Sequence, residues 1–264
     1  MSKPKAIILR GTGTNCDIET MNSFRYAGAD AELVHINELL SAKKKVLDYD
    51  IMAFPGGFSY GDDISAGKIF AVKLAGLSKD FEAFINDARP VIGICNGFQI
   101  LVKTGFLPEN RGNKPVSTLY TNDCGHFMAK WIKLKINKKS PCIFTRGLPE
   151  EIELPIANGE GKFIVEDKKV LDGILRLNLH ALTYSDNPNG SMRGIAGVTN
   201  KSGTCLGLMP HPERNLFAYQ RPDRPSSTAL RASFGSAQGR PAGFKEALAA
   251  GHQFFRNAVE YVNG

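Results

Sequence analysis

The chain has 264 residues, 42% hydrophobic and 22% charged, with a formal net charge of +7. That balance suits one large α/β domain with its own core and excludes a disordered chain or a small disulfide-stapled scaffold. No apolar run reaches the roughly 18 residues of a membrane helix, and the lysines are scattered rather than interleaved with aromatic residues, so the charge reads as solvated surface and not as a nucleic-acid grip.

In chain order, Met1 to Lys5 run directly into an apolar strand, Ala6 to Leu9, without a signal-peptide pattern. The turn Gly11-Thr12-Gly13 follows, and Asp17 is the expected N-cap of a helix through about Ala27. Ala31 to His35 and Asp50 to Phe54 read as strands, the latter ending at Pro55-Gly56-Gly57. Residues 66–86 have helical spacing. Pro90 to Cys95 read as a fourth strand, followed by a helix to about Thr104. Strands alternating with helices imply a parallel sheet covered on both faces. Beyond it, residues 127–136 alternate as an antiparallel strand does, and short strands are expected near 163–165, 192–199 and 204–209. Residues 215–243 are rich in Pro, Gly, Ser and Arg and read as an arm, before a terminal helix at about 244–262. The whole of 1–264 is expected to be one domain.

Three segments carry candidate chemistry. Gly93-Ile94-Cys95-Asn96-Gly97 lies between an apolar strand and a helix, the setting of a nucleophile elbow with cysteine in place of serine. The turn lifts the side chain out of the sheet, the glycines let backbones pass closely, and the helix N-terminus offers partial positive charge to an anion. Met209-Pro210-His211-Pro212-Glu213-Arg214 supplies a base and an orienting carboxylate for that nucleophile. The glycine pair of Pro55-Gly56-Gly57-Phe58-Ser59-Tyr60-Gly61-Asp62-Asp63 can aim the Gly57 N–H, with that of Asn96, at a developing oxyanion. Each segment alone also reads as a buried structural cysteine, a loop histidine or an ordinary glycine turn. Together they lie at or beyond strand C-terminal ends, where open α/β sheets place their sites.

Gly93-x-Cys95-x-Gly97-x-Gln99, with His211-Pro212-Glu213, resembles the triad class of glutamine amidotransferases. Gly57 to Asp63, Gly93 to Gln99, Pro155-Ile156-Ala157-Asn158-Gly159-Glu160-Gly161, Met209 to Arg214 and the opening strand with Thr14-Asn15-Cys16-Asp17 resemble, more narrowly, the glutaminase subunits of phosphoribosylformylglycinamidine synthase. The resemblance implies a three-layer αβα sandwich with a mixed, mainly parallel sheet, flavodoxin-like. It implies Cys95, His211 and Glu213 as catalytic residues, Gly57 and Asn96 as oxyanion donors, and Gln99 as a contact to glutamine. It implies ammonia passed to a separate synthetase subunit in purine biosynthesis, alongside a small accessory subunit, with ATP and magnesium on the synthetase and no cofactor on this chain. Asn158 stands where the family segment usually has histidine. The arm is longer than the compact family form, and Arg221, Arg224, Arg231 and Arg240 are candidates to dock on the synthetase.

The remaining cysteines, at 16, 124, 142 and 205, form no Cys-x-x-Cys pair, and His35, His126, His180 and His252 have no ligand spacing. Neither a disulfide framework nor a metal is expected, and a reducing cytoplasm is. Rival readings are the glutaminase of GMP or CTP synthesis, a stand-alone cysteine hydrolase on the same fold, and a silent scaffold subunit. The Gly-Phe-Ser-Tyr-Gly-Asp run favours the purine branch, and Gln99 with His211-Pro212-Glu213 favours free glutamine as substrate.

Overall fold

The computed structural model describes residues 2–62, 65–108, 114–223 and 248–264. Its central sheet has nine strands: β1 (Lys5–Arg10), β2 (Asp30–His35), β3 (Ile51–Phe54), β4 (Val91–Ile94), β6 (Met128–Ile136), β7 (Glu151–Asn158), β9 (His180–Tyr184), β10 (Ile195–Thr199) and β11 (Cys205–Leu208). Their order is β2-β1-β3-β4-β11-β10-β9-β6-β7. The first five run parallel. The remaining pairings are antiparallel. A separate pair joins β5 (Ser117–Tyr120) to β8 (Lys162–Val165).

Helices cover both faces. On one, α1 (Asp17–Tyr26) and α7 (Ala250–Asn263) meet through Phe24 and Phe255, 5.0 Å apart and edge-on. On the other lie α3 (Lys68–Leu74), α4 (Ser78–Asn86) and α5 (Asn96–Lys103), where Phe54 of β3 packs on Phe70 and Phe81. Among the described residues, two further helices are α2 (Ile36–Leu40) and α6 (Lys168–Arg176). Strands β3, β4 and β11 are buried at every position. That explains their unbroken apolar runs, because a parallel strand covered on both faces has no wet side. Each fully buried Phe or Ile there contributes about 1.5–3 kcal/mol of burial.

Several boundaries differ from the sequence reading. Cys16, not Asp17, occupies the cap of α1. Asp17 is the first helical residue, and its carboxylate pairs with Arg10 Nε at 3.2 Å. The single helix expected over 66–86 is interrupted by a 3₁₀ turn, Ala75–Leu77, where Gly76 lowers helix propensity. The strand expected near 192–199 begins only at Ile195, after a turn at Met192–Gly194. The terminal helix starts at Ala250, and residues 244–247 lie outside the described residues. So do residues 224–243 of the expected arm and Asp63 of the glycine-rich motif. Residues 215–223 pack on the body: Asn215, Leu216 and Phe217 are buried, and Phe217 bridges to Leu248. Arg221 pairs with Glu153 and Asp223, each at close range.

Strand β7 is absent from the sequence reading, although its alternation runs unbroken, with Ile152, Leu154, Ile156 and Asn158 inward and Pro155 outward. At the edge of a sheet, proline forfeits no ladder bond. The hairpin β6–β7 is longer than the sheet it joins. Only Leu134 to Ile136 of β6 pair with β9, and Met128 to Lys133 pair with β7 alone. Its free end carries Ala157 to the tip of β4.

Candidate active site

Cys95 joins β4 to α5 with φ +52° and ψ −105°, a conformation costing a non-glycine residue about 1–3 kcal/mol. The neighbours fix it. Its N–H donates to the Leu208 carbonyl at 2.8 Å, and its carbonyl accepts from the Gln99 N–H at 3.1 Å. The flanking glycines are required by contact. A Cβ on Gly97 would lie 1.9 Å from the Phe54 carbonyl oxygen, and one on Gly93 would lie 2.7 Å from the Gly97 carbonyl oxygen. Helix α5 therefore presses its backbone on the sheet, and the thiol stands at the strand end.

His211 and Glu213 follow β11, on the loop beside β4. His211 Nδ1 and Glu213 Oε1 are 2.6 Å apart, and both residues are buried. The His211 N–H donates to the Pro155 carbonyl at 2.9 Å, and Asn215 Nδ2 donates to the Glu153 carbonyl at 2.8 Å, so the loop is tied to the edge strand at two points. Burial on its own would lower the His211 pKa. The Glu213 carboxylate, and then Cys95, outweigh it and hold the imidazole well above its ordinary value.

A cleft of about 150 Å³ opens over the thiol, lined by Asn15, Cys16, Gly57, Phe58, Cys95, Phe127, Ala157, His211 and Arg214. Gly57 has φ +148°, and a Cβ there would lie 2.7 Å from the Gly13 carbonyl oxygen, so only glycine fits this wall. Cys95 Sγ reaches the Ala157 carbonyl at 3.7 Å. Phe58 and Phe127, both half exposed, face each other at 6.2 Å across the mouth.

Of the residues singled out in the sequence, the structure gathers Cys95, His211, Glu213 and Gly57 around one cleft. Asn96 is the first residue of α5, and its side chain accepts from Ser59 Oγ and donates to Gln99 Oε1. Gln99 lies behind the cleft wall, where its Nε2 donates to the Glu160 carbonyl at 2.7 Å. The pair thereby clamps the turn after β7. Asn158, the last residue of β7, is buried, and its side-chain oxygen and nitrogen have no hydrogen-bond partner among the described residues.

The sequence places Cys16 at the edge of the site while favouring a structural role for it, and includes Arg214 in a motif without giving it a role of its own. Both line the cleft, with Arg214 Nη2 3.0 Å from Cys16 Sγ. Burial pushes the Cys16 thiol up, against a hydrogen bond with His211. Cys16, His211 and Glu213 offer ligating atoms within 4.8 Å of one another. Glu213 is already committed to His211 Nδ1, however, and the guanidinium beside Cys16 opposes a metal cation there.

A family model described as a CobB/CobQ-like glutamine amidotransferase domain matches residues 3–262. The phosphoribosylformylglycinamidine synthase subunit PurQ of Methanococcus maripaludis is 39% identical, over 98% of each chain. That of Dehalococcoides mccartyi is 43% identical, over 86% of this chain and 91% of its own. Among solved structures, one of PurLQS from Thermotoga maritima contains a chain 29% identical with a TM-score of 0.73, covering 98% of this chain and 99% of that one. The fold, a mixed and mainly parallel sheet between helices, is that of the triad-class glutamine amidotransferases. Within that class, the chain belongs to the family of phosphoribosylformylglycinamidine synthase glutaminase subunits.

Proposed function

We propose that this chain releases ammonia from the side-chain amide of glutamine, with Cys95 as nucleophile, His211 as proton carrier and Glu213 as the group that orients it. The observation that carries the reading is the strained Cys95 elbow at a cleft that also holds His211, with Glu213 fixed 2.6 Å behind it.

His211 takes the Cys95 thiol proton, and the sulfur attacks the amide carbon. Backbone N–H groups of Gly57 and Asn96 receive the oxyanion, each worth about 3–4 kcal/mol of barrier. As the C–N bond breaks, His211 returns the proton to the departing nitrogen, and ammonia leaves a glutamyl thioester on Cys95. Water then gives its proton to His211 and attacks the thioester, and expulsion of the sulfur yields glutamate. Glu213 holds Nδ1 throughout, so Nε2 exchanges protons at the sulfur.

The ammonia serves an ATP- and magnesium-using synthetase subunit, with a small accessory subunit, in purine biosynthesis. Support comes from the relatives' names and from PurLQS, in which a chain of this fold is present. The setting is cytoplasmic. Among the described residues no helix is long and apolar enough to cross a membrane, and the five cysteines are free. Gln99 supports the substrate-facing wall through Asn96 and Glu160. The test is the assembled complex fed glutamine or ammonia. With Cys95→Ala, glutamine-dependent synthesis is lost and ammonia-dependent synthesis is kept. Loss of both, or retention of both, contradicts the assignment.

A further inference from the structure

The Arg214 guanidinium lines the cleft that holds Cys95, yet among the described residues it has no strong acceptor at hydrogen-bond distance. Nη2 points at the Cys16 thiol, 3.0 Å away, and a thiol is a weak acceptor. The nearest carboxylate oxygen, Glu19 Oε1, is 3.7 Å from Nε and belongs to a half-exposed side chain. A guanidinium presents five donors in a planar fork that matches a carboxylate. Its placement is not loose. The Arg214 N–H donates to the His211 carbonyl at 3.2 Å, so one turn of backbone sets both the imidazole and the cation.

The spacing to the nucleophile also fits an amino-acid substrate. A Cβ built on Gly56 would lie 3.2 Å from Cys16 Sγ and 3.5 Å from Cys95 Cβ. Cys16, which touches the guanidinium, and the nucleophile thus both pack against Gly56 and line one cleft. In glutamine, the α-carboxylate carbon lies four bonds from the amide carbon, roughly 5 Å when extended. We propose that Arg214 binds the α-carboxylate of glutamine and so selects the free amino acid over simple amides, a role that rests on the glutaminase reading above.

The test uses the assembled complex and follows alkylation of the Cys95 peptide by mass spectrometry with two reagents. One is the diazoketone analogue of glutamine, which carries the α-carboxylate. The other is iodoacetamide, which has none. Arg214→Gln should slow the diazoketone by about 10- to 100-fold, the worth of a hydrogen bond to a charged group, and leave iodoacetamide unchanged. Arg214→Lys, which keeps the charge, should recover part of the loss. Equal diazoketone rates in wild type and Arg214→Gln overturn the proposal, and so does an equal slowing of both reagents, which marks a structural role. If the diazoketone spares Cys95 in the wild type while iodoacetamide labels it, the glutaminase reading fails first.

Discussion

Strands β2, β1, β3, β4 and β11 run parallel, with β3, β4 and β11 buried at every position. By contrast β6 and β7 at the far edge run antiparallel and keep one side partly in water. The parallel half makes the nucleophile from residues adjacent in sequence: a strand, one strained residue and a helix pressed close through Gly97. The antiparallel half makes the opposing wall from residues far apart. The Ala157 carbonyl that meets Cys95 Sγ is 62 positions away, and the loop bearing His211 is anchored on Pro155 and Glu153. The reactive group is thus a local product of the chain, and its surroundings are a tertiary one.

That difference can be broken from either side. Glu213→Gln keeps the shape of the loop but loses the carboxylate that holds the imidazole. We expect glutamine hydrolysis to fall by about 10²- to 10⁴-fold at near-wild-type substrate affinity, read from the split between kcat and KM. Gly97→Ala drives a methyl group into the Phe54 carbonyl. Because the backbone there cannot retreat, it should cost about 3 kcal/mol or more in urea unfolding. Asn215→Ala cuts one of the two ties to β7. It should cost about 1–2 kcal/mol and lower kcat only several-fold, since the Pro155 bond remains.

The smallest effect is on pH dependence. His211 has a folded pKa above its unfolded value of about 6.5. Its contribution to stability is therefore complete below that value and fades as pH rises through the folded pKa. The stability gap between wild type and His211→Gln should accordingly narrow toward high pH, as checked by urea titrations across a pH series. A gap that widens with pH would put the proton on the wrong partner.

The legible parts of the sequence follow the same division. Buried parallel strands read as apolar runs, and the elbow reads as Gly-x-Cys-x-Gly because close backbone approach admits only glycine. His211-Pro212-Glu213 could be picked out because base and carboxylate are two residues apart. Strand β7 alternates without a break, but a proline inside a run argues against a strand until the sheet shows the run to be at an edge, and the wall residue Ala157 has no functional group in its side chain to mark it, since its carbonyl faces the sulfur. Gln99 shares the helix with Cys95, and spacing alone could not show that its amide turns to Glu160 rather than into the cleft. Arg214 stood in plain view beside Glu213. What singles it out is the lack, among the described residues, of a strong acceptor at hydrogen-bond distance, which only the packed structure shows.

The central claim is that Cys95 carries the glutamyl group. Its most direct test is rapid quenching of the assembled complex during turnover with glutamine, followed by mass analysis of the peptide containing Cys95. The account predicts a glutamyl thioester on Cys95 that forms and decays with turnover and is absent from Cys95→Ala. Steady turnover with Cys95 unmodified, or with the adduct on another residue such as Cys16, would contradict it.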